Sequence, residues 1–184
     1  MSDGNDIVYG NFSPVRDRFF TQCAALAYVP GLPPTGIRGK FIASSLIKKA
    51  VCEAVGGFPD RRAAEDLIFM EEVEKTGARI GFAPNAMVQW QLRPDIASTF
   101  QKFVLYSKHN VWVGRQWDWH YGILRKYLLL PPFVALAVFH SWWWLLALPL
   151  WLLARTARRI AAHRHELGFG PLFNPLVLMT VSFL

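Results

Sequence analysis

An α/β unit followed by α-helical membrane segments is the architecture this sequence predicts, and three observations lead there. Residues 1–126 alternate short strand and helix patterns and carry 16 basic and 12 acidic side chains. The 28 residues from Tyr127 to Ala154 carry no formal charge. A second apolar run, Leu172 to Leu184, closes the chain after a stretch holding Arg155, Arg158, Arg159 and Arg164 against Glu166 alone. With 184 residues, 53% of them hydrophobic, and a net charge of +7, the chain is neither a disordered tail nor a small disulfide scaffold. Its two cysteines, Cys23 and Cys52, point to reducing surroundings.

In chain order, Asp6 to Gly10 reads as a short strand, and Ser13-Pro14 supplies an N-cap and first-turn proline for a helix to about Tyr28. Pro30 to Gly36 must be a loop, because three prolines and two glycines in seven residues hold neither ladder nor helix. Phe41 to Ile47 follows as a strand and Lys48 to Val55 as a short helix closed by Gly56-Gly57. Glu65 to Thr76 is a longer helix closed by Gly77, with Leu67, Met70 and Val73 facing inward. Arg79 to Phe82 and Ala86 to Gln91 are strands around Pro84-Asn85, and Ile96 to about Gly114 is helical. Residues 1–116 thus form the α/β part.

Residues 117–127 read as an interfacial amphipathic segment. Trp112, Arg115, Trp117, Trp119, Tyr121, Arg125 and Lys126 suit headgroups and anionic membrane lipids better than nucleic acid, given the apolar run behind them. Uncharged runs of about 18 residues or more usually mark a bilayer span, so 128–154 is expected to be a transmembrane helix or a re-entrant hairpin. One helix over 133–154 would measure about 33 Å, enough to cross a core of about 30 Å. Basic residues on both flanks, with Trp142, Trp143 and Trp144 in mid-run, favour a hairpin turning near His140 and Ser141. Residues 155–171 read as a basic loop or helix in which His163 and His165 flank Arg164, and 172–184 as the start of a further membrane helix.

Chemistry concentrates in Val55-Gly56-Gly57-Phe58-Pro59-Asp60 and the following Arg61-Arg62-Ala63-Ala64-Glu65-Asp66. Two glycines release the backbone into a turn, and two carboxylates open a helix. Such carboxylates either complement the helix dipole, worth about 0.3–1 kcal/mol each, or serve as a general base held toward a cleft. Arg93, in Gln89-Trp90-Gln91-Leu92-Arg93-Pro94, can fork onto a diphosphate or lie free at a strand end. His109 reads as a surface or interface residue on its helix.

Several segments occur together in an order that resembles the second half of membrane-bound family 2 glycosyltransferases. They are DIVYGNFSP, FIASSLIKKAVCEAVGGFPD, AAEDLIFMEEVEKTGARIGFAPNAMVQWQLRP and TFQKFVLYSKHN, and the resemblance covers about residues 6–184. It implies a partial glycosyltransferase A-type mixed sheet with flanking helices, with 1–116 the acceptor-side part of the catalytic domain. It implies inverting transfer of a sugar from a nucleotide-diphosphate donor to a lipid-linked or membrane-associated acceptor, at a membrane and with the catalytic part facing the cytoplasm. Asp66 maps to the catalytic base and Glu65 to the residue that orients the acceptor. Ser44, Ser45, Gly57, Trp90 and Arg93 map to positions around the substrates.

The chain departs from that family at three points. A nucleotide-binding half with an Asp-X-Asp motif is expected before Asp6, and no Asp-X-Asp occurs in the sequence. A divalent metal, Mg or Mn, is expected of the complete enzyme, but its ligands are not identifiable here. Gln89-Trp90 stands where many relatives place a histidine, and Pro94 stands where polymer synthases require tryptophan. A non-catalytic membrane-anchored fragment or partner subunit, lacking the nucleotide-binding half, is the alternative.

Overall fold

The computed structural model describes residues 4–60, 64–128 and 130–184, with backbone alone at 118, 119, 123 and 126. Arg61, Arg62 and Ala63 of the glycine turn, and the Trp119 and Lys126 side chains of the aromatic and basic run, lie outside the described residues. Strand β1, Ile7–Pro14, is the middle of a three-stranded mixed sheet. Strand β2, Ser45–Ile47, pairs antiparallel with its first half, Ile7 opposite Ile47 and Tyr9 opposite Ser45. Strand β3, Ile80–Trp90, pairs parallel with β1 from Ile7 opposite Ile80 to Pro14 opposite Trp90. Ile7, Tyr9 and Phe12 are buried, as a covered central strand requires.

Pro84-Asn85 predicts two strands, and the structure has one. Tyr9 pairs with Phe82 and Asn11 with Met87, so β3 bulges between them and carries Pro84 where no ladder hydrogen bond is lost. Ser13-Pro14 likewise belongs to the sheet and not to a helix start, since Val15 N–H donates to Trp90 O at 2.9 Å. Helix α1 therefore spans Phe19–Tyr28, entered by Arg18 N–H donating to Thr21 Oγ1 at 3.0 Å. Ile42–Ser44 is a 3₁₀ turn that shortens the expected strand at 41–47.

Helix α2, Lys49–Ala54, and helix α3, Glu65–Lys75, follow, and α3 lays Phe69 and Val73 against Ile7 and Tyr9. At this same end of the sheet, Asp6 accepts from Lys48 Nζ at 2.8 Å and from Arg79 N–H at 3.0 Å. These bonds hold the Asp6 carboxyl at about 2. Helix α4, Ile96–Trp112, is capped by the Asp95 carboxylate accepting from Ser98 N–H at 2.7 Å. Helix α5, Gln116–Tyr127, is fastened to α3 where Arg115 Nη1 donates to both Glu71 oxygens at 2.7 and 2.9 Å.

The apolar half folds otherwise than its hydropathy predicts. Helix α6, Leu130–Phe139, leads through the 3₁₀ turn Trp142–Leu146 to helix α7, Ala147–Ala161. The short helix α8, Arg164–Leu167, a 3₁₀ turn at Gly170–Phe173 and helix α9, Pro175–Phe183, complete it. Among the described residues, no helix is long and apolar enough to cross a membrane. The membrane-crossing helices expected in 128–154 and from 172 onward are thus not formed among the described residues, whereas the turn expected near His140 and Ser141 is present, after α6. The membrane localisation with a cytoplasm-facing catalytic part, which rested on them, does not stand.

The physical reasons are local. His140 and Ser141 N–H groups both donate to Leu136 O, at 3.0 and 3.1 Å, and Ser141 then turns extended, which ends α6 after 10 residues. Ten residues of helix reach about 15 Å, half of a bilayer core of about 30 Å. Helix α7 takes Arg155, Arg158 and Arg159 into its own length. Helix α9 buries Val177 and Val181 against Cys23, Leu26 and Ala27 of α1 and Ile160 of α7. The Thr156 and Ser182 hydroxyls lock α7 to α9 at 2.9 Å. The closing apolar residues thus complete the core over α1.

A buried ionic cluster joins the two halves. Glu166 accepts from Arg16 at 2.9 Å and from Leu32 N–H at 2.9 Å, and lies 2.5 Å from Arg38 Nη2. Burial would raise its carboxyl, but these donors together hold it at about 2. The Arg38 side chain, 2% exposed, also donates to Phe12 O and Pro30 O. Gly31 sits so close to α7 that a Cβ there would lie 2.1 Å from Ala162 O.

Candidate active site

Helix α2 ends where Gly56 and Gly57 take φ of +77° and +79°, values that side chains resist. Gly57 N–H donates to Cys52 O at 2.9 Å, which closes the turn. The Phe58 ring then stacks on Phe69 of α3, with centroids 4.1 Å apart and planes at 19°. This contact fastens the segment after Gly57 to the second turn of α3, the turn that follows Glu65 and Asp66.

The two carboxylates differ. Asp66 is exposed, whereas Glu65 is half-buried and its Oε2 is shut off from solvent with no hydrogen-bond partner among the described residues. A buried carboxylate oxygen without a donor is costly, so it favours any hydroxyl or N–H that reaches it. Protein packed around Asp66, and then the charge of Glu65, raise the Asp66 pKa. Both act against the helix N-terminus, which alone would favour the charged form. The result is a stronger base than a free aspartate.

Ser44 closes the 3₁₀ turn before β2 and Ser45 is the first residue of β2, and both hydroxyls donate to nearby backbone. Ser44 Oγ donates to Phe41 O at 3.0 Å and Ser45 Oγ to Ile42 O at 2.7 Å. Their remaining capacity toward a ligand is as acceptors. Trp90 ends β3 in an aromatic cluster, 5.5 Å from Phe12 and 5.7 Å from Phe41 between ring centroids. Phe41 immediately precedes the turn that holds Ser44, but Ser45 pairs with Tyr9 in the first half of β1 and Trp90 with Pro14 at its end, so the serines and Trp90 lie apart along the sheet.

Arg93 is exposed and lines a cleft of about 510 Å³ with Arg18, Lys102 and Asp17. Lys102 lies over the Trp90 ring at 5.4 Å. Three cations against one carboxylate make this cleft suited to an anion. Neither Glu65 nor Asp66 is among its walls. Sequence reasoning did not single out Arg18 or Lys102. Only the burial of Leu92 with Phe12 and Val29 shows how the 90–93 segment is drawn over α1.

The other candidates have settled roles. His109 packs edge-on against Trp112, with centroids 4.9 Å apart. His163 is buried 3.5 Å from Glu166, and burial lowers its pKa despite that carboxylate. Among the described residues no three His, Cys, Asp or Glu side chains gather as a metal-ligand set. Glu65 and Asp66 offer two carboxylates without a third donor, so the cation implied by the resemblance finds no built site among them. Compared with protein-family models, curated proteins and solved structures, the chain matches none.

Proposed function

We propose that this chain carries the acceptor-activating part of an inverting sugar transfer from a nucleoside diphosphate sugar, with Asp66 as general base. One observation carries the reading: adjacent carboxylates open α3, one exposed with a raised pKa and the other with a buried, unpartnered oxygen. The segment order that resembles family 2 glycosyltransferases supports it. Asp66 takes the proton of the acceptor hydroxyl as that oxygen bonds to the anomeric carbon. The bond to the diphosphate oxygen breaks on the opposite face, and the nucleoside diphosphate leaves with the electron pair.

Glu65 orients the acceptor through its free oxygen. Arg93, with Arg18 and Lys102, neutralises the departing diphosphate. Ser44, Ser45, the Gly57 backbone and the Trp90 ring line the path between acceptor and donor. The acceptor hydroxyl belongs to an apolar or lipid-linked molecule, a reading supported by the exposed apolar side chains Phe100, Val104, Trp112 and Trp117.

The test is transfer by the full chain from a panel of uridine, guanosine and thymidine diphosphate sugars to a short-chain lipid-linked acceptor, with magnesium or manganese added. Glycosylated acceptor with inverted configuration is the expected product. Neither transfer nor donor hydrolysis with any donor would overturn the reading and favour a non-catalytic partner.

A further inference from the structure

Helices α5 and α7 line a cleft of about 610 Å³ whose charged wall residues, among those described, are all cationic. Arg125 comes from α5, and Arg155, Arg158 and Arg159 come from α7. Trp151 and Ala162 complete the α7 side. The spacing 151, 155, 158, 159 and 162 places these residues along one stripe of the helix. Like charges at such spacing repel one another, so the stripe is held against a cost.

Arg16 and Arg38 meet Glu166, Arg79 meets Asp6 and Arg115 meets Glu71, whereas Arg18, Arg93 and Arg164 share with this cleft the lack of an ion pair among the described residues. No described carboxylate lines the α5–α7 cleft, and none of its four arginines has an ion pair among the described residues. The Arg155 guanidinium lies over the Trp151 ring at 5.8 Å, which restrains its plane. Arg159 is half-buried, and burial together with Arg155 lowers its pKa, the mark of a charge awaiting a counter-charge. Several guanidinium forks converging on one space match the oxygen array of phosphate groups.

We propose that this cleft binds a ligand bearing a phosphate or diphosphate group through Arg125, Arg155, Arg158 and Arg159. The inference stands apart from sugar transfer, since none of these arginines belongs to the candidate active site. Calorimetry of the full chain against inorganic pyrophosphate, at about 150 mM salt so that diffuse attraction is screened, tests it. Parallel titrations use phosphatidylcholine vesicles with and without phosphatidic acid.

In an Arg93→Gln background, which disables the other anion cleft, saturable one-site binding is expected. Arg158→Gln and Arg125→Gln, both at exposed positions, should each weaken it about tenfold, the worth of one charge-assisted contact. Arg18→Gln, in the other basic cleft, should leave it within about twofold. Pyrophosphate binding assigns a soluble phosphorylated ligand. Binding only to vesicles containing phosphatidic acid, lost in the same variants, assigns the phosphate to a lipid headgroup. Absence of both, or equal weakening by Arg18→Gln, overturns the proposal.

Discussion

Phe58 stacks face to face on Phe69, and this contact, with Val51, Cys52 and Val55 packed on the Phe69 and Val73 cluster, holds the Gly56-Gly57 turn against the helix that begins with Glu65 and Asp66. Phe69 is a core residue and Phe58 is 52% exposed, so the pair joins a rigid partner to a movable one. Phe58→Ala should lower stability by about 1–2 kcal/mol, the sum of a stacking contribution and half a ring's burial. Phe69→Ala should cost about 3–5 kcal/mol because it also opens a cavity beside Ile7 and Tyr9. Urea unfolding of the two variants separates these outcomes.

The Glu166 cluster makes a pH-dependent contribution whose sign is fixed by its lowered pKa. The carboxyl moves from 4.5 to about 2 on folding, so its stabilisation is complete above about pH 4.5 and is lost as pH falls toward 2. Two to three pKa units correspond to roughly 3 kcal/mol. His163, whose burial resists protonation, starts the acid loss earlier, as pH drops below its ordinary value of 6.5. Glu166→Gln should destabilise at pH 7 by about 3–5 kcal/mol, since Arg16 and Arg38 keep their charge in a buried setting. Between pH 5 and 2 its midpoint should fall less steeply than that of the wild type.

Gly31 is needed for space. Gly31→Ala would place a methyl against the Ala162 carbonyl and push the 30–38 loop off α7, at a cost of about 1–3 kcal/mol. The same shift would strain Leu32 N–H away from Glu166, so coupling with Glu166→Gln should be visible in a double-mutant cycle.

What the sequence discloses and what it hides divide along a physical line. The limits of the helix beginning at Glu65 and stopping at Gly77 are legible, because charge placement and the glycine stop act within a few residues. Its inward face is legible only in part: Val73 is buried as expected, whereas Leu67 is exposed and Phe69 takes the core position. The Lys48–Val55 helix with its glycine stop is legible for the same reason. Pro84-Asn85 misleads because a bulge and a strand end share the same local chemistry, and only the partner strand decides. Ser13-Pro14 misleads in the same way, since its pairing with Gln89 and Trp90 lies far along the chain. The largest difference lies in 127–184. Hydropathy counts apolar residues without showing where a helix breaks or what covers it: α1 and α9 cover one another, whereas Val138, Phe139, Trp142 and Leu150 stay exposed around the break at His140 and Ser141. At the candidate site the carboxylate pair is visible in sequence. The gathering of Arg18 and Lys102 around Arg93 is tertiary.

The raised Asp66 pKa predicts how transfer depends on pH. A base must be ionised, so the rate should rise with pH through the Asp66 pKa and level off above it. Glu65→Gln removes a neighbouring charge that raises that pKa, so the acid limb should move to lower pH. An acid limb unmoved by Glu65→Gln would detach it from Asp66.

The account depends most on Asp66 as the base, and turnover of Asp66→Asn beside its donor affinity tests that most directly. Asparagine keeps the shape and removes the proton acceptor. The predicted result is a loss of about 100-fold or more in kcat with donor affinity kept within a few-fold. Unchanged turnover, or an equal loss of donor affinity, would contradict it and assign Asp66 to the helix start or to donor binding.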